Sequence, residues 1–188
     1  MPFEVYRVCR RVHAALDGEG AFLVGGRWNS PGKHMVYMAQ SVALAVLENL
    51  VHMSRQDFPT GYVRITATVP EDIVVFSETD LRRNRSLRDF STRALGDAWL
   101  DSQLSAVLKV RSAVVPEEWN YLLNPRHPGF SKIAVHQSES FVFDERLSNE
   151  RTQPSMMVMP GFPGEPHSQP APCPVRPLWL DKLNVRRN

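Results

Sequence analysis

The stretch GGRWNSPGKHMVYMAQSVALAVLENLVH, residues 25–52, contains a glycine-rich turn, a short apolar run and a capped apolar segment in immediate succession. Glycine reaches backbone conformations that are closed to other residues, so the adjacent Gly25 and Gly26 predict tight bends within a turn-rich connection over residues 18–32. Residues 36–39 are apolar and indicate a strand. Ser41 then precedes a segment rich in Ala, Leu, Val and Met, which predicts a helix over residues 42–53 with Ser41 as its N-cap.

A helical wheel of this segment has one apolar arc, and polar residues lie outside it. The arc contains Ala43, Leu44, Leu47, Leu50 and Val51. Glu48 and His52 fall outside the arc, one turn apart, which is also the spacing of an ordinary helical side-chain pair. The pattern predicts that the arc faces the core.

Outward from this stretch, strands and helices follow one another irregularly. Residues 3–12, 62–69, 73–76, 113–115, 122–123 and 133–136 indicate strands, and residues 93–108 have helical character. Regular βαβ alternation is missing, so the sequence predicts an α+β fold with a mixed sheet and flanking helices rather than a doubly wound parallel sheet.

A chain of 188 residues is long enough for one hydrophobic core. We assign that core to residues 1–149. More than half of the fifteen prolines lie between Pro154 and Pro177. Proline cannot sustain a helix interior or a central strand, so residues 150–188 are predicted to be a proline-rich, disordered tail.

Composition and charge narrow the class of protein. A formal net charge of +2 gives little reason to expect a polyanionic partner. The two cysteines, Cys9 and Cys173, lie far apart and form no disulfide framework, which suits a reducing cytosol. We find no signal-peptide pattern and no run of about 18 apolar residues, so a soluble, cytoplasmic protein is expected.

The residues after Gly26 are suited to a nucleotide ligand. The Arg27 guanidinium is always charged and forms paired hydrogen bonds to a phosphate. Trp28 offers a flat surface on which a base stacks, and Asn29 follows it directly. The alternative is a structural turn with a surface arginine and a core tryptophan.

Glu48 and Tyr37 are further candidates. A carboxylate beside an apolar helix face can be partly desolvated, and then serves proton transfer or stabilises a positive transition state. Tyr37 has a ring that packs on a flat ligand and a hydroxyl that donates a hydrogen bond. Taken alone, each has a structural alternative: a helix-surface glutamate paired with His52, and a half-buried strand tyrosine. Ser112 and residues 119–128 place further polar side chains in expected loops.

Other kinds of site have less support. The six histidines lack the spacing of a metal site, and no dinucleotide-binding or phosphate-binding glycine motif occurs. Cys9 in a buried strand is best explained as a small hydrophobe. A basic cluster, Arg82, Arg83, Arg85 and Arg88, leaves open a protein that binds or cuts RNA, although Asp80 and Asp89 dilute its field and such a run is more often a solvated face.

Seven segments in the same order resemble the RES domain, over about residues 3–145. They are YR at 6–7, GGRWNSPG at 25–32, VYMA at 36–39, ALAVLENLVH at 43–52, GDAWL at 96–100, SAVVP at 112–116 and NYLLNPRHP at 120–128. The sequence departs from the family at Arg111, where proline is frequent, and in the tail.

The resemblance implies the toxin of a toxin–antitoxin pair with a split-sheet, ADP-ribosyltransferase-like fold. The enzyme would deplete NAD by hydrolysis or phosphorolysis of the nicotinamide–ribose bond, or would transfer ADP-ribose to a protein. NAD is then a substrate, and neither a cofactor nor a metal is expected. A catalytically silent binding module is the remaining alternative, and the joint presence of the three active-site residue types argues against it.

The family's active-site positions correspond to Arg27, Tyr37 and Glu48. Arg27 would hold the pyrophosphate, Tyr37 would orient the nicotinamide ribose end, and Glu48 would stabilise positive charge on the sugar. Further NAD contacts are expected from Arg7, Trp28, Asn29, Ser112 and Asn120. The implied partner is an Xre-type antitoxin that blocks the NAD pocket in a hetero-oligomer, with no membrane and no direct nucleic-acid contact.

Overall fold

The structure is a computed structural model that describes residues 1–53 and 60–147, and its strands form a mixed sheet flanked by helices. The strands are β1 (Phe3–Arg10), β2 (Val36–Ala39), β3 (Tyr62–Val69), β4 (Val75–Ser77), β5 (Val107–Arg111), β6 (Trp119–Leu123), β7 (Ala134–Val135) and β8 (Glu139–Phe141). The helices are α1 (Glu19–Val24), α2 (Val42–Leu50), α3 (Glu78–Arg82) and α4 (Thr92–Ser102). Short 3₁₀ turns occur at Arg11–His13, Pro128–Lys132 and Glu145–Leu147.

The sheet has the strand order β4-β5-β6-β2-β1-β3-β7, and β8 also pairs with β3. Strands β4 and β5 are parallel, and the other pairs are antiparallel. Between β1 and β2 the register contains one pair, Tyr6 opposite Ala39, whereas β1 pairs with β3 along its whole length. The sheet is therefore split between β1 and β2, and the predicted α+β class with a split, mixed sheet is confirmed.

Both faces of the sheet are buried against other parts of the fold. On one face Val36, Met38 and Leu123 belong to a cluster with Val5 and Val107. On the other face Leu108, Val110 and Leu122 pack with Leu95 and Trp99 of α4. Because side chains alternate along a strand, residues that follow one another in β2, β5 and β6 supply the two clusters in turn.

The turn-rich connection expected at 18–32 contains a helix, α1, that the prediction missed. Gly18 and Gly25 flank it with φ of 76° and 72°, which is the left-handed region that glycine adopts readily. A Cβ at Gly18 would lie 2.7 Å from the Met35 backbone nitrogen, so glycine is also required there by close packing. The glycines thus bound a short helix.

Helix α2 is confirmed, but its orientation differs from the predicted one. Ser41 accepts a hydrogen bond from the Leu44 amide, as expected of its N-cap, and the helix ends at Leu50 rather than at residue 53. Leu44 and Ala45 are buried, whereas Leu47 and Val51 of the predicted arc are exposed. The physical reason at Val51 is that this end of α2 borders a cavity, so its side chain is not covered by the sheet.

Other boundaries are corrected as well. The helix expected at 93–108 ends at Ser102, and residues 107 and 108 are instead the first two residues of β5. Residues 113–115 form no strand, because Ser112 starts a turn, and Trp119, expected in a loop, begins β6. The strand expected at 73–76 is β4 at Val75–Ser77, and α3 and β8 were not predicted.

The proline-rich tail predicted at 150–188, with Cys173, lies outside the described residues. Within residues 1–53 and 60–147, no helix has the length and apolar character needed to span a bilayer.

Candidate active site

A cavity of about 1060 Å³ opens beside the split in the sheet. Its walls come from β1, α1 and the turn that follows α1, β2, α2, and the neighbouring ends of β5 and β6. Arg27, Tyr37 and Glu48 all line this cavity, as do Arg7 and Asn120. The structure therefore brings together in one place the three residues predicted to be catalytic.

The Glu48 carboxylate is held by two side-chain donors from the second half of the chain. Ser112 Oγ donates to Glu48 Oε1 at 2.8 Å, and Asn120 Nδ2 donates to the same oxygen at 2.6 Å. Among the described residues no donor contacts Oε2. One carboxylate oxygen is thus fixed by the protein, and the other is left for a ligand.

Ser112 is fixed as a donor by its own surroundings. It is buried, and its Oγ accepts hydrogen bonds from the backbone amides of Val114 and Val115, both at 3.0 Å. Because two amides occupy the lone pairs of the hydroxyl, its proton is directed to Glu48. Ser112 does not itself line the cavity, so its contact with the site passes through Glu48.

Tyr37 is tied to the turn that contains Arg27. Its hydroxyl donates to Asn29 Oδ1 at 2.7 Å and accepts from the Trp28 amide at 3.1 Å. A Cβ at Gly26 would lie 2.4 Å from the same hydroxyl, so glycine at this position permits the close approach. Burial raises the pKa of Tyr37 to about 12, with the Trp28 amide acting in the opposite direction. The phenol therefore stays protonated at physiological pH.

Asn29 organises the turn from within. It is 0% exposed, and its Nδ2 donates to the carbonyls of Ala21, Ser30 and Lys33 at 2.9–3.1 Å. With Oδ1 bonded to Tyr37, the amide group is fully used inside the protein. Asn29 does not line the cavity, so the contacts seen here are structural, and the NAD contact expected of Asn29 stays a prediction.

Trp28 is likewise a core residue. It borders the cavity but is only 4% exposed, and it packs with Leu95 and Trp99. A base stacks on the face of an aromatic ring, so this burial favours the alternative of a core tryptophan in a structural turn. The NAD contact expected of Trp28 stays a prediction.

Two arginines face the cavity in different ways. Arg27 is exposed, and its guanidinium has no acceptor among the residues the structure describes. Arg7 is half-buried on β1 and lies two residues from Cys9, which also lines the cavity. Burial raises the pKa of the Cys9 thiol, and the neighbouring Arg7 lowers it. Because no described residue accepts from its guanidinium, Arg27 is available to bind an anion.

The basic cluster that left an RNA-acting toxin open is partly engaged within the protein. Arg82 Nε donates to Glu78 at 2.8 Å, and its Nη1 donates to the carbonyls of Arg88 and Phe90. Arg83 Nη1 donates to Asp80 at 2.8 Å. These two guanidiniums stabilise α3 and the following loop. Over residues 1–53 and 60–147, no group of three or more His, Cys, Asp and Glu residues has the arrangement of a metal site.

Sequence reasoning missed several residues of the cavity wall. They are Asn49, Arg10, His13, Leu23, Val24 and Tyr62. Asn49 directly follows Glu48, and its Nδ2 bonds the Val8 carbonyl at 2.8 Å, which fixes α2 to β1. In the sequence, the only indication for Asn49 is that it lies in the segment at 43–52, which resembles the family.

Known proteins resemble this chain in sequence. The sequence model of the family described as "RES domain" matches residues 4–144. The "Prs ADP-ribosylating toxin" of Sphingobium sp. is 35% identical over 138 residues, covering 70% of this chain and 86% of that protein. "Toxin Res" of Pseudomonas putida is 37% identical over 137 residues, covering 72% of this chain and 94% of that protein.

A solved structure has a similar fold. It is the crystal structure of the M. tuberculosis MbcT-MbcA toxin-antitoxin complex, in which the matching chain has a TM-score of 0.56 and 20% identity. The match covers 75% of this chain and 85% of that chain. The family match over nearly all of the described residues, together with relatives above one-third identity along most of their length, shows that this chain belongs to the RES domain family.

Proposed function

We propose that this chain is the toxin of a toxin–antitoxin pair and that it is an enzyme which cleaves the nicotinamide–ribose bond of NAD. The observation that carries the proposal is the convergence of Arg27, Tyr37 and Glu48 on one cavity of about 1060 Å³. A cavity of this size lies just above the range of about 300–1,000 Å³ typical of small-molecule sites. It is therefore large enough for a dinucleotide.

Glu48 is proposed to act on the sugar. Loss of nicotinamide builds positive charge on the ribose, and a nearby carboxylate stabilises that charge. Ser112 and Asn120 hold Oε1, which directs the remaining oxygen, Oε2, to the ribose.

Arg27 is proposed to bind the pyrophosphate. Its guanidinium has no acceptor among the described residues, and Arg27 borders the cavity. A planar guanidinium binds phosphate oxygens through two parallel hydrogen bonds. Arg7, half-buried on β1, adds a second positive charge to the same cavity.

Tyr37 is proposed to act through its ring and through the turn that it supports. Its hydroxyl donates to Asn29 and accepts from the Trp28 amide, so the hydroxyl is already engaged within the protein. The ring, and not the hydroxyl, would therefore face the nicotinamide ribose. The raised pKa of Tyr37 also argues against a role as a base.

The reaction balances without a redox partner. The bond between ribose C1′ and the nicotinamide nitrogen breaks, and its electron pair leaves with nicotinamide, which becomes neutral. An acceptor oxygen then bonds to C1′ and gives up a proton. Water or phosphate as the acceptor would deplete NAD. A protein side chain as the acceptor is the second candidate, and the similarity to a relative named "Prs ADP-ribosylating toxin" favours it.

The antitoxin is proposed to cover the mouth of this cavity. Four apolar residues that line it are each more than half exposed: Val12, Leu23, Val24 and Val51. Exposed apolar side chains gathered at one place mark a protein-binding surface. The similar fold in the MbcT-MbcA toxin-antitoxin complex supports a partner of this kind.

The proposal is tested by incubating the purified protein with NAD and, separately, with RNA. We expect loss of NAD and intact RNA. Glu48→Ala should abolish NAD loss while the protein stays folded by circular dichroism. Glu71→Ala is a matched control, because Glu71 is exposed and does not line the cavity. Unchanged NAD turnover in Glu48→Ala would contradict the role of Glu48.

The acceptor is identified from the products. Free ADP-ribose in plain buffer indicates water, a phosphorylated ADP-ribose that forms only with added phosphate indicates phosphorolysis, and a labelled protein band indicates transfer to a side chain.

A further inference from the structure

The first turns of α4 hold the backbone of the Arg27 turn, residues 25–32, at three points. Thr92 Oγ1 donates to the Arg27 carbonyl at 3.0 Å, and Arg93 Nε donates to the Gly26 carbonyl at 3.2 Å. Asp97 binds Ser30 twice, accepting from its amide at 2.9 Å and from its hydroxyl at 2.6 Å. These contacts join residues that are 65 or more positions apart in the chain.

Gly96 brings the helix directly against this turn. A Cβ on Gly96 would lie 1.9 Å from the Trp28 carbonyl oxygen, closer than any side chain can approach. Helix α4 is itself fixed in the core, because Leu95 and Trp99 are fully buried. The helix is therefore a rigid support for the backbone on both sides of Arg27.

This support matters because the Arg27 side chain has no support of its own. Its guanidinium is exposed and has no acceptor among the described residues, so its position depends on where its backbone is held. Asp97 does not line the cavity and cannot contact a ligand there directly. Asp97 is linked to the Arg27 turn through its two hydrogen bonds to Ser30, and its charge also raises the pKa of Tyr37.

We propose that Asp97 is a positioning residue for Arg27, which it holds at the distance and direction needed to grip the pyrophosphate. The inference rests on the proposed function, in which Arg27 binds that group. The GDAWL segment of α4, residues 96–100, then has an indirect part in substrate binding, because the Asp97 side chain does not reach the cavity.

The test measures the KM and kcat for NAD in variants of the full-length protein. Asp97→Ala removes both hydrogen bonds to Ser30. We expect KM to rise about tenfold with kcat changed by less than about twofold, because the lost interaction binds the substrate and the transition state equally. Asp97→Asn should restore KM, since its amide oxygen accepts from the Ser30 amide and its NH₂ donates to Ser30 Oγ. Asp101→Asn is the matched control: Asp101 is on the same helix and pairs with Lys33 at the surface.

A double-mutant cycle separates positioning from general stability. In an Arg27→Ala background, Asp97→Ala should raise KM no further, because the group that it positions is absent. Equal KM effects of Asp97→Ala with and without Arg27 would overturn the proposal. If Asp97→Ala does not fold, Ser30→Ala replaces it in the cycle, since it removes one of the two bonds and leaves the backbone amide bonded.

Hydrogen–deuterium exchange of residues 25–32 gives a readout that needs no catalysis. We expect faster exchange in Asp97→Ala than in wild type and wild-type exchange in Asp97→Asn. A wild-type protein that leaves NAD intact would refute the proposed function, and the exchange would still report whether α4 holds the turn. Unchanged exchange in Asp97→Ala would refute the support by α4 even if NAD is cleaved.

Discussion

At the scale of single residues, the hydroxyl of Tyr37 connects strand β2 to the Arg27 turn. It donates to Asn29 and accepts from the Trp28 amide, and it is largely buried. When this phenol ionises, it loses the proton that it donates to Asn29 Oδ1, and that hydrogen bond is lost as well. The stability of the turn therefore depends on the protonation of Tyr37.

The pKa of Tyr37 predicts the direction of this dependence. Its value of about 12 in the folded protein is above the ordinary value of 10.0, so the folded state holds the phenol proton more tightly than the unfolded state does. The stabilisation is complete below pH 10 and is lost as pH rises through 12. A difference of two units corresponds to roughly 3 kcal/mol at most.

Tyr37→Phe tests this prediction. We expect the variant to be less stable than wild type at neutral pH, and the difference in free energy of unfolding to shrink between about pH 10 and about pH 12. Urea titrations at several pH values measure both. A difference that stays constant across this range would show that Tyr37 does not titrate as the buried phenol described here.

At the scale of elements, the sequence predicted some parts well. Local signals were sufficient for β3 and α2, because alternation and a serine cap are written in consecutive residues. They were insufficient for the orientation of α2, since a helical wheel does not reveal that a cavity takes part of its apolar surface. They were also insufficient for α1, where flanking glycines were interpreted as turns.

The candidate site divides in the same way. Arg27, Tyr37 and Glu48 are found from one short stretch and the family resemblance. The indirect roles of Ser112 and Asn29 could not be found from sequence, because they depend on which polar groups of distant segments meet them. Sequence motifs identified these residues, and only the hydrogen bonds show what they touch.

Gly96 gives an element-scale prediction. Gly96→Ala should destabilise the protein by about 3 kcal/mol, the upper end of the usual cost of overpacking, because the methyl group meets a backbone carbonyl that cannot move freely. Thermal unfolding measures the effect as a lower Tm. Gly20→Ala is the matched control: it lies in α1 with open space around its Cβ, and alanine favours a helix by about 1 kcal/mol. Equal Tm values for the two variants would contradict the close contact between α4 and Trp28.

At the scale of the whole molecule, four of the twelve exposed large apolar side chains among the described residues lie around one cavity. Val12 and Val24 are 82% and 80% exposed and both line the cavity. A partner that covers this mouth would bury them and close the site in the same step. Binding of the antitoxin and inhibition are then one event.

Val24→Asp tests this arrangement, because it places a charge where the partner should bury an apolar side chain. We expect the affinity for the antitoxin to fall at least about tenfold, measured by calorimetry, since an unpaired buried charge is costly. Val142→Asp serves as the control, being 85% exposed and outside the cavity. A similar loss of affinity in both variants would place the antitoxin elsewhere.

The hydrogen bonds to Glu48 also have a consequence for synthesis on the ribosome. Arg27, Tyr37 and Glu48 emerge early, but Ser112 and Asn120, which fix the carboxylate, come from the second half of the chain. Strand β6, the partner of β2 on the side away from the split, likewise ends only at Leu123. A nascent chain shorter than this has the reactive groups without their alignment. On the proposed role of Glu48, activity therefore begins only after β6 has been synthesised.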